Sequence, residues 1–129
     1  MKKILIYSET MLYLKGIDLL INEGIQDIKT KCANSFSAFQ ELISKESHAM
    51  IILHINFLGK QNKHLENITS VLPPKIPVLI LTDNIVNVGK LFPVANDLIC
   101  LLDVRNTDTK IISMANKLLG ISSSNNTTT

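Results

Sequence analysis

No glycine stands in Ser8-Glu9-Thr10-Met11, the turn between the first apolar run and the first helical stretch. A dinucleotide needs glycine at such a turn so that its pyrophosphate can approach the backbone. Neither GxGxxG nor GxxxxGK[ST] occurs anywhere in the chain, which excludes nucleotide binding by those two routes. A flavodoxin-type phosphate loop rich in Ser and Thr would begin at the same turn, and Thr10 alone is thin support for one.

Cysteine is scarce as well. Cys32 and Cys100 each lie in an apolar run, and neither has a CxxC partner. Two such residues in predicted strands read as buried structural thiols rather than a disulfide or a redox pair. Long apolar runs are missing: Ile4-Leu5-Ile6-Tyr7 follows Met1-Lys2-Lys3 but stops at Ser8-Glu9, too soon for a signal peptide. Nothing approaches the roughly 18 apolar residues of a membrane span, so a cytosolic chain without a membrane partner is expected. An excess of one charge is also lacking. Lys and Arg total 13 against 11 Asp and Glu, a net +2 too small and scattered to predict nucleic-acid binding by this segment.

What remains is the material of one globular domain. Of 129 residues 46% are hydrophobic and 19% charged, enough for a real core but too short for two. Compact apolar runs at residues 4–7, 27–33, 49–55, 77–82 and 98–102 predict five strands. The third, Ala-Met-Ile-Ile-Leu-His-Ile, has the continuous apolar character of a strand buried on both faces. Between them, Leu14, Ile17, Leu20 and Ile21 recur at helical spacing, opened by Ser8, Glu9 or Thr10 and stopped by Gly24. Ser35 or Ser37 opens a second helix through Phe39, Leu42 and Ile43. A looser segment carries Leu65, Ile68 and Leu72 before Pro73-Pro74. A weak helix spans 85–94, interrupted by Gly89 and Pro93, and a last one spans 109–119.

Strand and helix thus alternate five times, which implies an α/β domain with a parallel sheet, right-handed crossovers and helices on both faces. Working residues in such sheets gather at the carboxyl ends of the strands. Here those are Tyr7-Ser8-Glu9, Ala33-Asn34, His54-Ile55-Asn56, Thr82-Asp83 and Leu102-Asp103. Residues 1–120 read as the domain. Residues 121–129, Ile-Ser-Ser-Ser-Asn-Asn-Thr-Thr-Thr, read as a flexible end or linker with no structural element.

The run Lys3-Ile4-Leu5-Ile6-Tyr7-Ser8-Glu9, followed by Leu12-Tyr13-Leu14-Lys15-Gly16-Ile17, resembles the opening of response-regulator receiver domains, especially the NarL/LuxR type. His48 to Asn56 looks like the strand that carries the phosphoacceptor. Ile76-Pro77-Val78-Leu79-Ile80-Leu81-Thr82 looks like the family's fourth strand, and Leu98 to Asp103 like its fifth. The likeness covers roughly residues 3 to 120 and is carried by layout more than by signature residues. It implies a flavodoxin-like (CheY-like) doubly wound five-stranded sheet of order 2-1-3-4-5.

Carried over position by position, the family's site is degenerate. The acid pair falls on Ser8 and Glu9, the phosphoacceptor on His54, and the phosphoryl-reading hydroxyl on Thr82. The switch aromatic falls near Ile99, and the family's lysine falls near Leu102-Asp103, with no lysine between Lys90 and Lys110. Magnesium wants several hard oxygen ligands, a histidine cannot form an acyl phosphate, and charge developing on a phosphoryl oxygen would meet no cation. The resemblance therefore implies a pseudo-receiver, without catalysis or cofactor.

His54, at the end of an apolar strand, reads first as a neutral polar plug hydrogen-bonded to Glu9, Asn56 or Thr82. A pH or metal switch with Glu9, and a phosphorylated or catalytic histidine, are the other readings. A further variant has Glu9 and Asp83 or Asp103 holding a metal weakly. Thr82-Asp83-Asn84 and Glu9 also suit helix starts. His48 and His64 are expected in solvated loops. Ile85, Val86, Val88, Leu91 and Phe92, and Ile111, Ile112, Met114, Leu118 and Leu119, form apolar sides that are either core stripes or a partner surface. The resemblance implies a homodimer and a C-terminal helix-turn-helix effector beyond these residues. The alternative function is a flavodoxin-like domain that binds a small ligand or metal at the strand ends.

Overall fold

The structure, a computed structural model, describes residues 1–56, 65–90 and 98–127. Among the described residues, five strands alternate with five helices: β1 (Lys2–Tyr7), α1 (Met11–Gly24), β2 (Ile28–Ala33), α2 (Phe36–Lys45), β3 (Met50–Ile55), α3 (Leu65–Val71), β4 (Val78–Thr82), α4 (Ile85–Gly89), β5 (Ile99–Asp103) and α5 (Asp108–Thr127). All neighbouring strands are parallel, in the order β2-β1-β3-β4-β5. This is the expected flavodoxin-like sheet.

Side-chain alternation along the strands divides the core into two layers. Ile4, Ile6, Ile52, Leu79 and Leu81 face α1 and α5, where Leu14, Ile17, Ile21, Ile111, Ala115, Leu118 and Leu119 cover them. Leu5, Tyr7, Ile51, Leu53, Val78 and Ile80 face the other way, against Phe39, Ile68 and Val88 of α2, α3 and α4. All six residues of β3 are buried, as befits a central strand covered on both faces. His54, two residues beyond Ile52, is thereby turned toward the α1 side of the sheet.

The helix starts follow local chemistry. Ser35 caps α2 by accepting a hydrogen bond from Ala38 N–H at 3.2 Å. Thr10 precedes α1 without a side-chain cap bond, and Asn84 caps α4 by accepting from Asn87 N–H at 3.1 Å. The α1 helix ends at Gly24, as expected, yet the left-handed residue of the turn is Asp27, at φ 60°. Gly24 is instead a point of close packing: a Cβ there would lie 2.8 Å from Ile112 Cγ1.

Several expectations need correction. The segment around Ile68, looser in its pattern, is the third of the five alternating helices, α3, and Ile68 docks against the sheet. Backbone helix continues in α5 to Thr127, so 121–127 is not without structure; once a helix is nucleated, each further residue that is fixed adds one hydrogen bond. Cys32 is exposed and not buried. It lies on the edge strand opposite the polar flank of α1, and partial desolvation followed by the Asp18 carboxylate pushes its thiol up to about 11. Cys100 is half-buried, and burial raises its thiol also. His48 is buried at 5% exposure, with Nε2 3.1 Å from Glu46 Oε1, which also takes Lys3 at 3.4 Å on its other oxygen. Four residues of the apolar or histidine expectations, His64, Leu91, Phe92 and Val94, lie outside the described residues.

Candidate functional site

At the carboxyl ends of β1, β3 and β4, three polar side chains are sealed from water: Ser8, His54 and Thr82. Ser8 is fixed by the strand that precedes it. Its N–H donates to Ala33 C=O at 3.1 Å, extending the β1–β2 pairing one residue past Tyr7. Its hydroxyl oxygen accepts from Thr10 N–H at 3.1 Å and lies 3.1 Å from Thr10 C=O and 2.9 Å from His54 Nδ1. One hydroxyl proton serves one of those two acceptors, so the imidazole tautomer sets which.

His54 is 3% exposed. Below it lies the apolar β3, and Tyr13 of α1 stacks on its ring, centroids 4.2 Å apart and planes 17° from parallel. Burial holds the imidazole below its ordinary pKa, and the nearby Asp83 charge only partly opposes this. The ring is buried at the end of an apolar strand, and that burial favours its uncharged form. Its hydrogen-bond partner is Ser8, however, where sequence pointed to Glu9, Asn56 or Thr82. The chain's alternation explains the difference: Glu9 falls on the side of Tyr7, whose phenol is raised well above its ordinary range by burial and then by the Glu9 charge. Ser8 falls on the side of His54.

Thr82 is occupied locally. Its Oγ1 accepts from Asn84 N–H at 3.2 Å, and its carbonyl accepts from Val104 N–H at 2.9 Å, tying the β4 end to the turn after β5. Asp103, paired in register with Thr82, is engaged by a residue that sequence reasoning passed over. Arg105 donates from Nε to Oδ1 at 2.9 Å and from Nη2 to Oδ2 at 2.6 Å, and its backbone N–H reaches Oδ1 at 2.8 Å. These bonds hold the Asp103 carboxyl well down, at about 2. The signal in the sequence was Asp103-Val104-Arg105, an acid and a base two residues apart at a strand end.

The five positions singled out from sequence thus meet at one rim, in separate pairings. Ser8 and His54 bond to each other, Thr82 holds the next turn, Asp103 is neutralised by Arg105, and Glu9 neighbours Tyr7. Among the described residues, no three or more His, Cys, Asp or Glu side chains are grouped to hold a metal. No described helix is long and apolar enough to cross a membrane.

The apolar sides of α4 and α5 divide differently from one another. Ile111, Leu118 and Leu119 are core, whereas Ile85 and Val86 of α4 are exposed, Val86 at 71%. The larger exposed apolar display lies on α1, with Leu12 at 81% and Leu19 at 60%.

No family model matches the sequence, and no curated protein matches it. Solved structures do match. A response regulator receiver domain protein from Clostridium thermocellum is similar at 18% identity and TM-score 0.68, with 95% of this chain and 98% of that one covered. The signal receiver domain of an HD domain-containing protein from Pseudomonas fluorescens Pf-5 is similar at 14% identity and TM-score 0.75, covering 95% and 98%. A LuxR family DNA-binding response regulator from Silicibacter pomeroyi is similar at 14% identity and TM-score 0.68, covering 93% and 92%. At these identities the likeness establishes the fold, a CheY-like receiver architecture over nearly the whole chain.

Proposed function

We propose that this chain is an atypical receiver domain, a regulatory module of a signal-transduction protein that works without phosphorylation. The observation that carries it is His54 itself. At the position where receivers present the phosphoacceptor, the chain holds a buried neutral imidazole closed off by Ser8 and Tyr13. Acyl phosphate formation requires a carboxylate there, and magnesium requires more than one hard oxygen ligand beside it. Asp103 carries its own counter-ion in Arg105. Output then comes from surfaces and not from catalysis, and the module needs no cofactor.

The LuxR-family neighbour supports a place in transcription regulation, with a DNA-binding effector following residue 129. Exposed Ile85 and Val86 on α4 are the residues assigned to a homodimer contact. The reading is tested by adding beryllofluoride and Mg²⁺ to isotopically labelled protein. Resonances of Ser8, His54 and Thr82 stay in place if it is right, and saturable shifts at those three residues refute it. A helix-turn-helix pattern in the coding sequence after Thr129 supports the effector assignment, and an unrelated one removes it.

A further inference from the structure

At the amino end of the sheet, opposite the rim that holds Ser8 and His54, a hollow of about 410 Å³ lies among the starts of β1, β3 and β4. Backbone bonds hold these strand starts together. Ala49 N–H donates to Lys3 C=O at 2.8 Å, and Ile51 N–H donates to Pro77 C=O at 3.0 Å. The wall before β4 is the turn Pro73-Pro74-Lys75-Ile76-Pro77, whose prolines fix φ and set Lys75 on a stiff support.

The ionisable side chains that line the hollow among the described residues are Lys2, Lys3, Lys75 and His48, with no acid among them. Lys2 Nζ donates to the Leu119 carbonyl at 3.0 Å, a partner without charge. Lys3 lies 3.4 Å from Glu46, which is shared with His48 and stands outside the lining. Lys75 is exposed and has no ion-pair partner among the described residues. Three ammonium groups thus meet one carboxylate, which leaves two positive charges uncompensated. Buried His48, held below its ordinary pKa by that burial, contributes a polar wall and no further cation. A concave site lined by one sign of charge focuses its field and draws a counter-ion.

The size of the hollow says what accompanies the anion. A phosphate monoester carries about −1.5 to −2 charge at neutral pH, which matches the excess, and lysines meet it as point charges. The free ion would leave most of the space empty, whereas the volume falls in the range of about 300–1,000 Å³ used for small organic ligands. Ala49 and Ile76 supply apolar surface for an organic part.

We infer that this hollow binds a small phosphate monoester, with Lys3 and Lys75 as the charge partners of its phosphate and Ala49 and Ile76 against its organic part. The site lies at the other end of the strands from Ser8 and His54, and it does not depend on their chemistry.

The probes are phenyl phosphate and inorganic phosphate, titrated into the labelled full chain at constant ionic strength in sodium chloride. Phenyl phosphate is expected to give saturable shifts at Lys3, the His48 ring, Ala49 and Ile76, and to bind about tenfold more tightly than inorganic phosphate. Lys75→Ala, at an exposed position, weakens phenyl phosphate about tenfold while the melting temperature holds. Lys110→Ala removes the same charge at the opposite end of the sheet and leaves binding unchanged. Shifts that rise without saturation overturn the inference, as does an equal loss in the Lys75 and Lys110 variants. Capture by phosphatidylcholine vesicles containing phosphatidic acid, with no binding of phenyl phosphate, gives the site to a membrane headgroup and overturns it too. Beryllofluoride acting at Ser8, His54 and Thr82 would leave all these outcomes unchanged, so the two readings fail separately.

Discussion

Tyr13 lies flat on His54, and through it the first helix closes the end of the third strand. A ring on α1 reaches a ring on β3 because β3 alternation turns His54 toward the layer that α1 covers. If this stack is what keeps the imidazole dry, Tyr13→Ala exposes it. The His54 pKa then rises toward the ordinary value of about 6.5, read from its ring resonances across a pH titration. A pKa that stays depressed would place the seal elsewhere.

His48 and His54, both buried, make stability depend on pH. Burial is the largest influence on both His48 and His54 and holds each below its ordinary value, with Glu46 and Asp83 respectively opposing it. Below about pH 6.5 the unfolded chain takes up protons that the folded chain refuses. The unfolded state therefore binds more protons there, and stability rises with pH through that window. It is complete above the ordinary imidazole pKa and falls away as pH drops toward the depressed folded values. Thermal melts at neutral and mildly acid pH should show that loss, and His54→Asn should make it shallower. An equal slope in the variant would remove His54 from the account.

Arg105 is assigned the task of neutralising Asp103. Arg105→Ala should release the carboxyl from about 2 toward the ordinary aspartate value of about 3.9. Carbon-detected titration of the Asp103 side chain reads this directly. A carboxyl that remains near 2 would mean that other donors hold it down.

Glycines 16 and 24 should respond oppositely to alanine. At Gly16 the new Cβ enters open space and the helix gains about 0.5–1 kcal/mol. At Gly24 it collides with Ile112, and overpacking costs about 1–3 kcal/mol. Urea unfolding of the two variants separates these effects. The same sign for both would contradict the packing described.

The elements read from sequence were those whose signal is strictly local. β3 was legible because six apolar or strand-buried residues run without interruption, and α1 because Leu14, Ile17 and Ile21 repeat at helical spacing. The placement of Ser8, Glu9, His54, Thr82 and Asp103 was legible, since a doubly wound sheet delivers the carboxyl ends of its strands to one rim. Their pairings were not. Whether His54 meets Ser8 or Glu9 depends on which face of the sheet each residue leaves from, and Tyr13 enters only through the placement of α1. Cys32 went astray because its apolar neighbours suggested burial, whereas the edge position sets it beside Asp18. His48 went astray in the other direction, since this residue just before β3 is buried, with Glu46 as its hydrogen-bond partner.

The central claim is that the rim around His54 cannot take up a phosphoryl group. Intact-mass measurement after incubation with acetyl phosphate and Mg²⁺ tests it most directly. The account predicts an unchanged mass for the full chain. An acid-labile increase of one phosphoryl group, lost when His54 or Glu9 is replaced, would contradict it.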